Sequence, residues 1–209
     1  LRINGLPSLE NYISCFGSYS TACEKAGVKP LFFKRLPRDF MNCETSGIKI
    51  FVDTREQQPL SFENSEVMAL DTGDYTAAGD FYDRTYIDRK SASDFISTLS
   101  LRNLDRFKAE LGRISNMDSY LFVVVESSLE YIEKYLKSAK RNKFGPHKTS
   151  SRFIYHNMRE LMHEFSDRCQ FVFTGGRDQS EFLIPKILFF GSILWNVDIQ
   201  YYIDNNELG

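Results

Sequence analysis

The chain predicts an α/β fold: a three-layer α/β/α sandwich around a mixed central sheet, preceded by a small helical segment. Three observations lead there. Apolar runs of strand length alternate with segments whose apolar residues recur at helical spacing. Residues 120–125, Tyr-Leu-Phe-Val-Val-Val, are apolar without a break, as in a central strand covered on both faces. Between residues 75 and 89, two runs rich in β-branched and aromatic residues flank Gly79-Asp80, a pair that reverses a hairpin, so the sheet contains antiparallel neighbours.

Residues 9–28 read as two short helices around Gly17-Ser18, with Tyr12, Ile13 and Phe16 on one side and Ala22, Cys23 and Ala26 on the other. Ser18 can cap the second helix and Gly27 can end it. The connector 29–46 carries Pro30, Pro37 and the basic Lys34, Arg35 and Arg38, suited to a phosphate backbone or to plain solvation. Residues 48–52 form an apolar first strand with Asp53 at its end, where open α/β sheets gather their sites. A second strand, 66–70, leads into Gly73, and the hairpin strands follow at 75–78 and 81–89. Ser91-Ala-Ser-Asp94 is a capping box in which Ser91 caps a helix and Asp94 reaches back to its first amide, with Phe95, Ile96 and Leu99 facing inward. Leu104, Phe107, Leu111 and Ile114 mark a second amphipathic helix, and residues 129–136 another. Ile154, Met158, Leu161, Met162 and Phe165 form a further buried stripe before a strand at 171–173 that Gly175-Gly176 ends. Residues 182–195 are too rich in Leu, Ile and Phe for an exposed helix, so they close the core or form a subunit interface. The chain divides into residues 1–46, a helical repeat and connector, and residues 47–209, the main domain.

The 209 residues can bury a full core, and the net charge of −2 does not announce a nucleic-acid binder. Local distribution says more. Between Lys134 and Arg159 stand Lys137, Lys140, Arg141, Lys143, Lys148 and Arg152 with no acid among them. Gly145-Pro146 makes this a loop between helices, and Thr149-Ser150-Ser151 lead into a helix N-terminus, so phosphate contacts are expected there. Cys15, Cys23, Cys43 and Cys169 have no zinc spacing and read as thiols of a reducing cytosol. No signal peptide or bilayer-spanning run is present, which points to a cytoplasmic protein, nuclear in a eukaryote. The first residue is Leu1 rather than Met, the pattern of a chain taken from a longer protein. No glycine pattern calls for an organic cofactor.

The chemistry gathers at residues 73–94. Side chains alternate faces along a strand, so Asp88 and Lys90 share one face roughly 7 Å apart, while Ile87 and Arg89 point to the other. Asp74 lies near the start of the partner strand, and a hairpin brings its carboxylate back beside Asp88. Alone, the two acids would repel and one would hold its proton. A divalent cation such as Mg²⁺ removes that repulsion, polarises a phosphoryl oxygen and acidifies water. Lys90 then orients or deprotonates that water, or neutralises charge on the phosphate. The pattern is that of phosphodiester hydrolysis.

These residues carry a resemblance. Gly73-Asp74, then Asp88-Arg89-Lys90, then Asp94 resembles the signature of the XPF-type structure-specific endonucleases: Gly-Asp, a gap, Glu-Arg-Lys, three residues, Asp. Upstream, Ile-Phe-Val-Asp53-Thr-Arg55-Glu56 is similar to the Asp-x-Arg-Glu element of the same family, and the resemblance spans roughly residues 48–190. It implies a restriction-endonuclease-like fold and a Mg²⁺- or Mn²⁺-dependent DNA endonuclease acting at branches, flaps or junctions. It implies Asp74, Asp88 and the backbone carbonyl of Arg89 as metal ligands, Lys90 as the catalytic lysine, and Asp53 and Glu56 as assisting acids. Arg55, Arg89 and Asp94 would support them. It also implies a homodimer, for which the C-terminal apolar segment is the expected interface. Asp88 stands where the family usually has Glu, one methylene longer, and no paired helix-hairpin-helix follows Gly176. Residues 16–27 are similar to a helical repeat found beside homing endonucleases, whose second helix is expected to contact DNA. Two other readings of the whole stand beside this one: a non-catalytic DNA-structure-binding subunit, and a site-specific nuclease of the homing or mobile-element type.

Overall fold

The computed structural model describes residues 9–77, 84–141 and 150–208. Six strands form one sheet: β1 (Ile50–Asp53), β2 (Ser65–Met68), β3 (Tyr75–Ala77), β4 (Thr85–Lys90), β5 (Tyr120–Val125) and β6 (Cys169–Phe173). Their order is β2-β1-β3-β4-β5-β6. β3 runs antiparallel to β1 and to β4, while β1–β2, β4–β5 and β5–β6 are parallel, which makes the sheet mixed.

The period of two in β5 assigns the layers. Leu121, Val123 and Val125 face a core shared with α3 (Ala92–Thr98), α4 (Leu104–Asn116), α5 (Leu129–Arg141) and α6 (Ser151–Glu164). Tyr120, Phe122 and Val124 face a second core closed by α7 (Arg177–Phe190) and by the 3₁₀ turn (Gly191–Leu194) and α8 (Ile199–Asp204) beyond it. The predicted three layers are therefore present, with a fully buried central strand between them. The apolar 182–195 segment closes the second core through Leu183, Ile184, Ile187 and Leu188, while Phe182, Phe189 and Ile193 stay exposed.

Helices α1 (Leu9–Phe16) and α2 (Tyr19–Lys25) form as expected, with the Thr21 amide donating to Ser18 Oγ at the cap and Gly27 at φ +69° just past the end. The connector is less of a linker than its composition suggests. Phe40 is fully buried against Phe190, and Leu36, Met41 and Cys43 pack on the same core. Buried Lys186 donates to the Met41 carbonyl at 3.0 Å. Residues 36–43 thus pack as part of the main body, on the near side of the boundary drawn at residue 46.

Several bounds shift for identifiable reasons. β2 ends at Met68, not 70, because the amide of Leu70 donates to the Asp53 carboxylate and its carbonyl accepts from Arg55, so its backbone leaves the ladder. α5 continues past 136 to Arg141, supported by the Glu130–Lys134 and Glu133–Lys137 pairs. Lys137, Lys140 and Arg141 are therefore helical, not part of a loop. β6 starts at Cys169, and α7 begins with the polar turn at Arg177. The hairpin tip at Gly79-Asp80, the Gly145-Pro146 turn, Lys143 and Lys148 lie outside the described residues.

Candidate active site

The site starts from a glycine. Gly73 has φ +67°, and a Cβ there would lie 2.7 Å from the Ile87 carbonyl oxygen, so only glycine fits where β3 approaches β4. The close approach lets the Asp74 amide donate to Ile87 O at 2.7 Å, and the Arg89 amide donates to Asp74 Oδ2 at 2.7 Å. The acid expected to return beside Asp88 is thereby fixed opposite it, across the β3–β4 pair.

Asp88 and Lys90 share a face. Lys90 Nζ donates to Asp88 Oδ1 at 3.0 Å and lies 2.7 Å from Oδ2, so the ammonium sits against both oxygens of the buried carboxylate. Burial, and next the charge of Asp88, push the Asp74 carboxyl up to about 7. Burial opposes the charge on Lys90, but Asp88 outweighs it and the ammonium pKa is raised. Glu110 of α4 joins them: burial and then Asp88 raise its carboxyl, and Thr72 Oγ1 donates to it at 3.4 Å. Two facing carboxylates, the buried Asp88 and the half-buried Asp74, fit a hard divalent cation that accepts oxygen ligands. No group of three or more His, Cys, Asp or Glu side chains among the described residues converges to hold a metal, so the pair would need backbone, water or substrate oxygens to complete a shell.

The opposite face of β4 carries Arg89, as the alternation requires. Its guanidinium donates to Glu56 through Nη2 (2.9 Å) and Nε (3.3 Å), to Glu126 through Nη1 (2.9 Å), and to the Gln58 carbonyl at 3.0 Å. Glu56 also accepts from the Gln58 amide at 2.8 Å. Both carboxylates are largely buried, and Glu126 Oε1 has no hydrogen-bond partner. Glu56 is thus engaged behind the strand that bears Asp88. Arg177 clamps the same loop from α7, donating to the carbonyls of Gln58 and Pro59.

Asp53 is equally engaged. It accepts from the Arg55 amide (2.7 Å), Arg55 Nε (2.6 Å), Arg55 Nη2 (2.9 Å) and the Leu70 amide (2.8 Å). Those bonds, led by the Arg55 side chain, hold its carboxyl down at about 2. Asp94 closes the capping box differently from expectation: Oδ2 accepts the Ser91 hydroxyl at 2.6 Å, while the Asp94 amide donates to Ser91 Oγ at 3.2 Å. Of the basic residues, Lys137 pairs with Glu133 at 2.8 Å and Arg152 is exposed in the first turn of α6, which Ser150 caps.

Sequence reasoning passed over Glu126 and Glu110. Glu126 directly follows the apolar run of β5, the strand-end position that drew attention to Asp53. Glu110 follows Phe107 by three residues, so it borders the buried stripe of α4.

The family model described as the ERCC4 domain matches residues 52–187, well over half of the 209. No curated protein matches the chain. Among solved structures, XPF from Aeropyrum pernix is similar at 19% identity and a TM-score of 0.48, over 76% of this chain and 69% of that one. XPF from Aeropyrum pernix in complex with DNA is similar at 20% identity and a TM-score of 0.47, over 68% of this chain and 62% of that one. The family match encloses Asp53, the Gly73-Asp74 turn, the Asp88-Arg89-Lys90 strand, α3 to α6 and all but the last three residues of α7. This chain belongs to the ERCC4 domain family, the XPF-type nucleases that its motifs resemble.

Proposed function

We propose that the protein is a divalent-metal-dependent DNA endonuclease that hydrolyses phosphodiester bonds at branched, flap or junction DNA. The observation that carries this reading is the Asp74–Asp88 pair with the Lys90 ammonium on Asp88. Asp74 and Asp88, with the Arg89 carbonyl, would hold Mg²⁺ or Mn²⁺, which when bound polarises the phosphoryl oxygen and acidifies water. Lys90 orients the attacking water or neutralises charge on the phosphate from the same strand face. Glu56 and Asp53 act at one remove: Glu56 anchors Arg89 behind the site and Asp53 locks the end of β1. Asp94 supports the start of α3, next to Lys90.

The basic residues from Lys137 to Arg152 would hold the DNA backbone beyond the site, giving binding that weakens steeply with salt. Residues 9–28 would add a second contact. Phe182, Phe189 and Ile193 form an exposed apolar stripe along α7 and the 3₁₀ turn, suited to an isologous homodimer. No helix among the described residues is long and apolar enough to cross a membrane.

The test is cleavage of labelled flap, splayed-arm and plain duplex DNA with Mg²⁺ or Mn²⁺, by wild type, Asp74→Ala and Lys90→Ala. Cation-dependent cutting by wild type that both substitutions abolish would support the site, and the preferred substrate would name the class. Tight binding without cutting, unchanged by either substitution, would leave a non-catalytic DNA-structure-binding subunit.

A further inference from the structure

Beside Lys90 a cleft of about 230 Å³ opens between the end of α3 and the first turns of α4. Its walls are mostly polar: Asp94, Ser97 and Thr98 on one side, Asn103, Arg106 and Glu110 on the other, with Lys90 and the ring of Phe107 also lining it. Three features of these walls suit an anion. Arg106 is exposed, yet it makes no hydrogen bond or ion pair with any described residue, so its fork of donors is free. Asn103 sits at the N-cap position of α4 but donates its side-chain amide to Ser97, at 3.0 Å to both O and Oγ, so the helix starts without a side-chain cap. Ser97 Oγ accepts that bond and keeps its own proton to give. The two acids on these walls each accept a hydroxyl, Asp94 from Ser91 and Glu110 from Thr72, and Arg106 is the cation left free to meet a phosphate beside them.

We propose that this cleft is a subsite for a backbone phosphate of the substrate, one flanking the scissile phosphodiester, with Arg106 as its anchor. The inference rests on the nuclease reading and deepens it. A phosphate here is bridged to the scissile group by Lys90, which lines the cleft and bonds Asp88. Arg106 therefore acts as a positioning residue: it sets the register of the strand in the site without touching the bond that breaks.

The test separates binding from cutting. Affinity for a fluorescent flap DNA is measured by anisotropy in EDTA across a salt series, for wild type, Arg106→Ala and Arg106→Lys. The same measurement is repeated with substrates carrying one neutral methylphosphonate at each position around the junction. Arg106 is exposed, so neither substitution disturbs the core. Arg106→Ala is expected to bind about tenfold more weakly, the loss of one charge-assisted phosphate contact. Its slope of log affinity against log salt should fall by about one. At one methylphosphonate position wild type should lose the same factor and Arg106→Ala nothing further. Arg106→Lys should keep the salt slope with part of the affinity, because the charge stays and the fork is lost. Wild-type affinity in Arg106→Ala, or equal losses for both proteins at every methylphosphonate, would overturn the subsite. Coupling at one position in a protein that never cuts would keep the subsite and sink the nuclease reading, while cutting without coupling would do the reverse.

Discussion

Replacing Arg89 by Met should destabilise the protein more than any substitution on the opposite face of β4, which bears Asp88 and Lys90. Arg89 belongs to the motif, yet its side chain is only 11% exposed and lies on the far side of the strand between Glu56, 8% exposed, and Glu126, 14% exposed. Met fills the aliphatic volume but removes the cation from both carboxylates, leaving Glu126 without its donor and Glu56 with the Gln58 amide alone. Breaking a buried ion pair by removing one partner costs about 3–5 kcal/mol, against a total stability of about 5–15 kcal/mol for a domain. Urea unfolding followed by tryptophan fluorescence measures it: the midpoint should fall with the slope unchanged. Adding Glu56→Gln and Glu126→Gln removes the stranded charges and should recover about half of the loss or more, since neutral replacements of buried ion groups are often well tolerated. A single-variant cost below about 1 kcal/mol, or no recovery in the triple variant, would refute the buried-charge argument.

Asp74 gives a pH signature. Its carboxyl rises from the usual range to about 7 on folding, so between about pH 4 and 7 the native state holds a proton that the unfolded chain has lost. Stability should then fall as pH rises through that window, by about 4 kcal/mol at most, and Asp74→Asn should flatten the dependence of the urea midpoint on pH. Truncation tests where the main body begins: a chain starting at residue 29 should keep its melting temperature within about 2 °C, because α1 and α2 are largely exposed. One starting at residue 47 loses fully buried Phe40 and should be destabilised by about 3–5 kcal/mol. Phe189 is 49% exposed, so Phe189→Glu should convert the expected dimer to a monomer in sedimentation without lowering the melting temperature. A wild type that is monomeric at high concentration would remove that interface.

What the sequence made legible was local. Asp88 and Lys90 are two residues apart on a strand, so strand periodicity alone predicts their shared face, on which the structure pairs them at 2.7 Å. Ser18 and Ser91 announce their helices, because a cap is decided within a few residues. Asp74 needed the β3–β4 pairing that two strand-like runs around Gly79-Asp80 predict, and Gly73 lets the two strands approach closely enough to place it. The rest depends on contacts between segments that are far apart in the chain. Glu126 reaches Arg89 only because β5 pairs parallel with β4, and Glu110 reaches the site only because α4 packs back over the same face. Neither neighbour is written in local pattern. Phe40 stands among prolines and basic residues, where composition reads as linker, yet the ring of Phe190 lies 5.4 Å away. The expected end of β2 failed for the same reason, since the Leu70 amide was captured by an aspartate seventeen residues earlier.

Three successive residues of β4 serve two separate environments: Asp88 and Lys90 the carboxylate pair with Asp74, Arg89 the Glu56–Glu126 cluster behind it. A pleated strand has two sides and no third, so these roles are locked in phase. Inserting or deleting one residue upstream within β4 would deliver a guanidinium to the face that bears the proposed site and two shorter charges to the interior, spoiling that site and stability in one event. Lineages of this protein can therefore lengthen or shorten that strand only in steps of two, and single-residue length changes should be confined to the turns at either end.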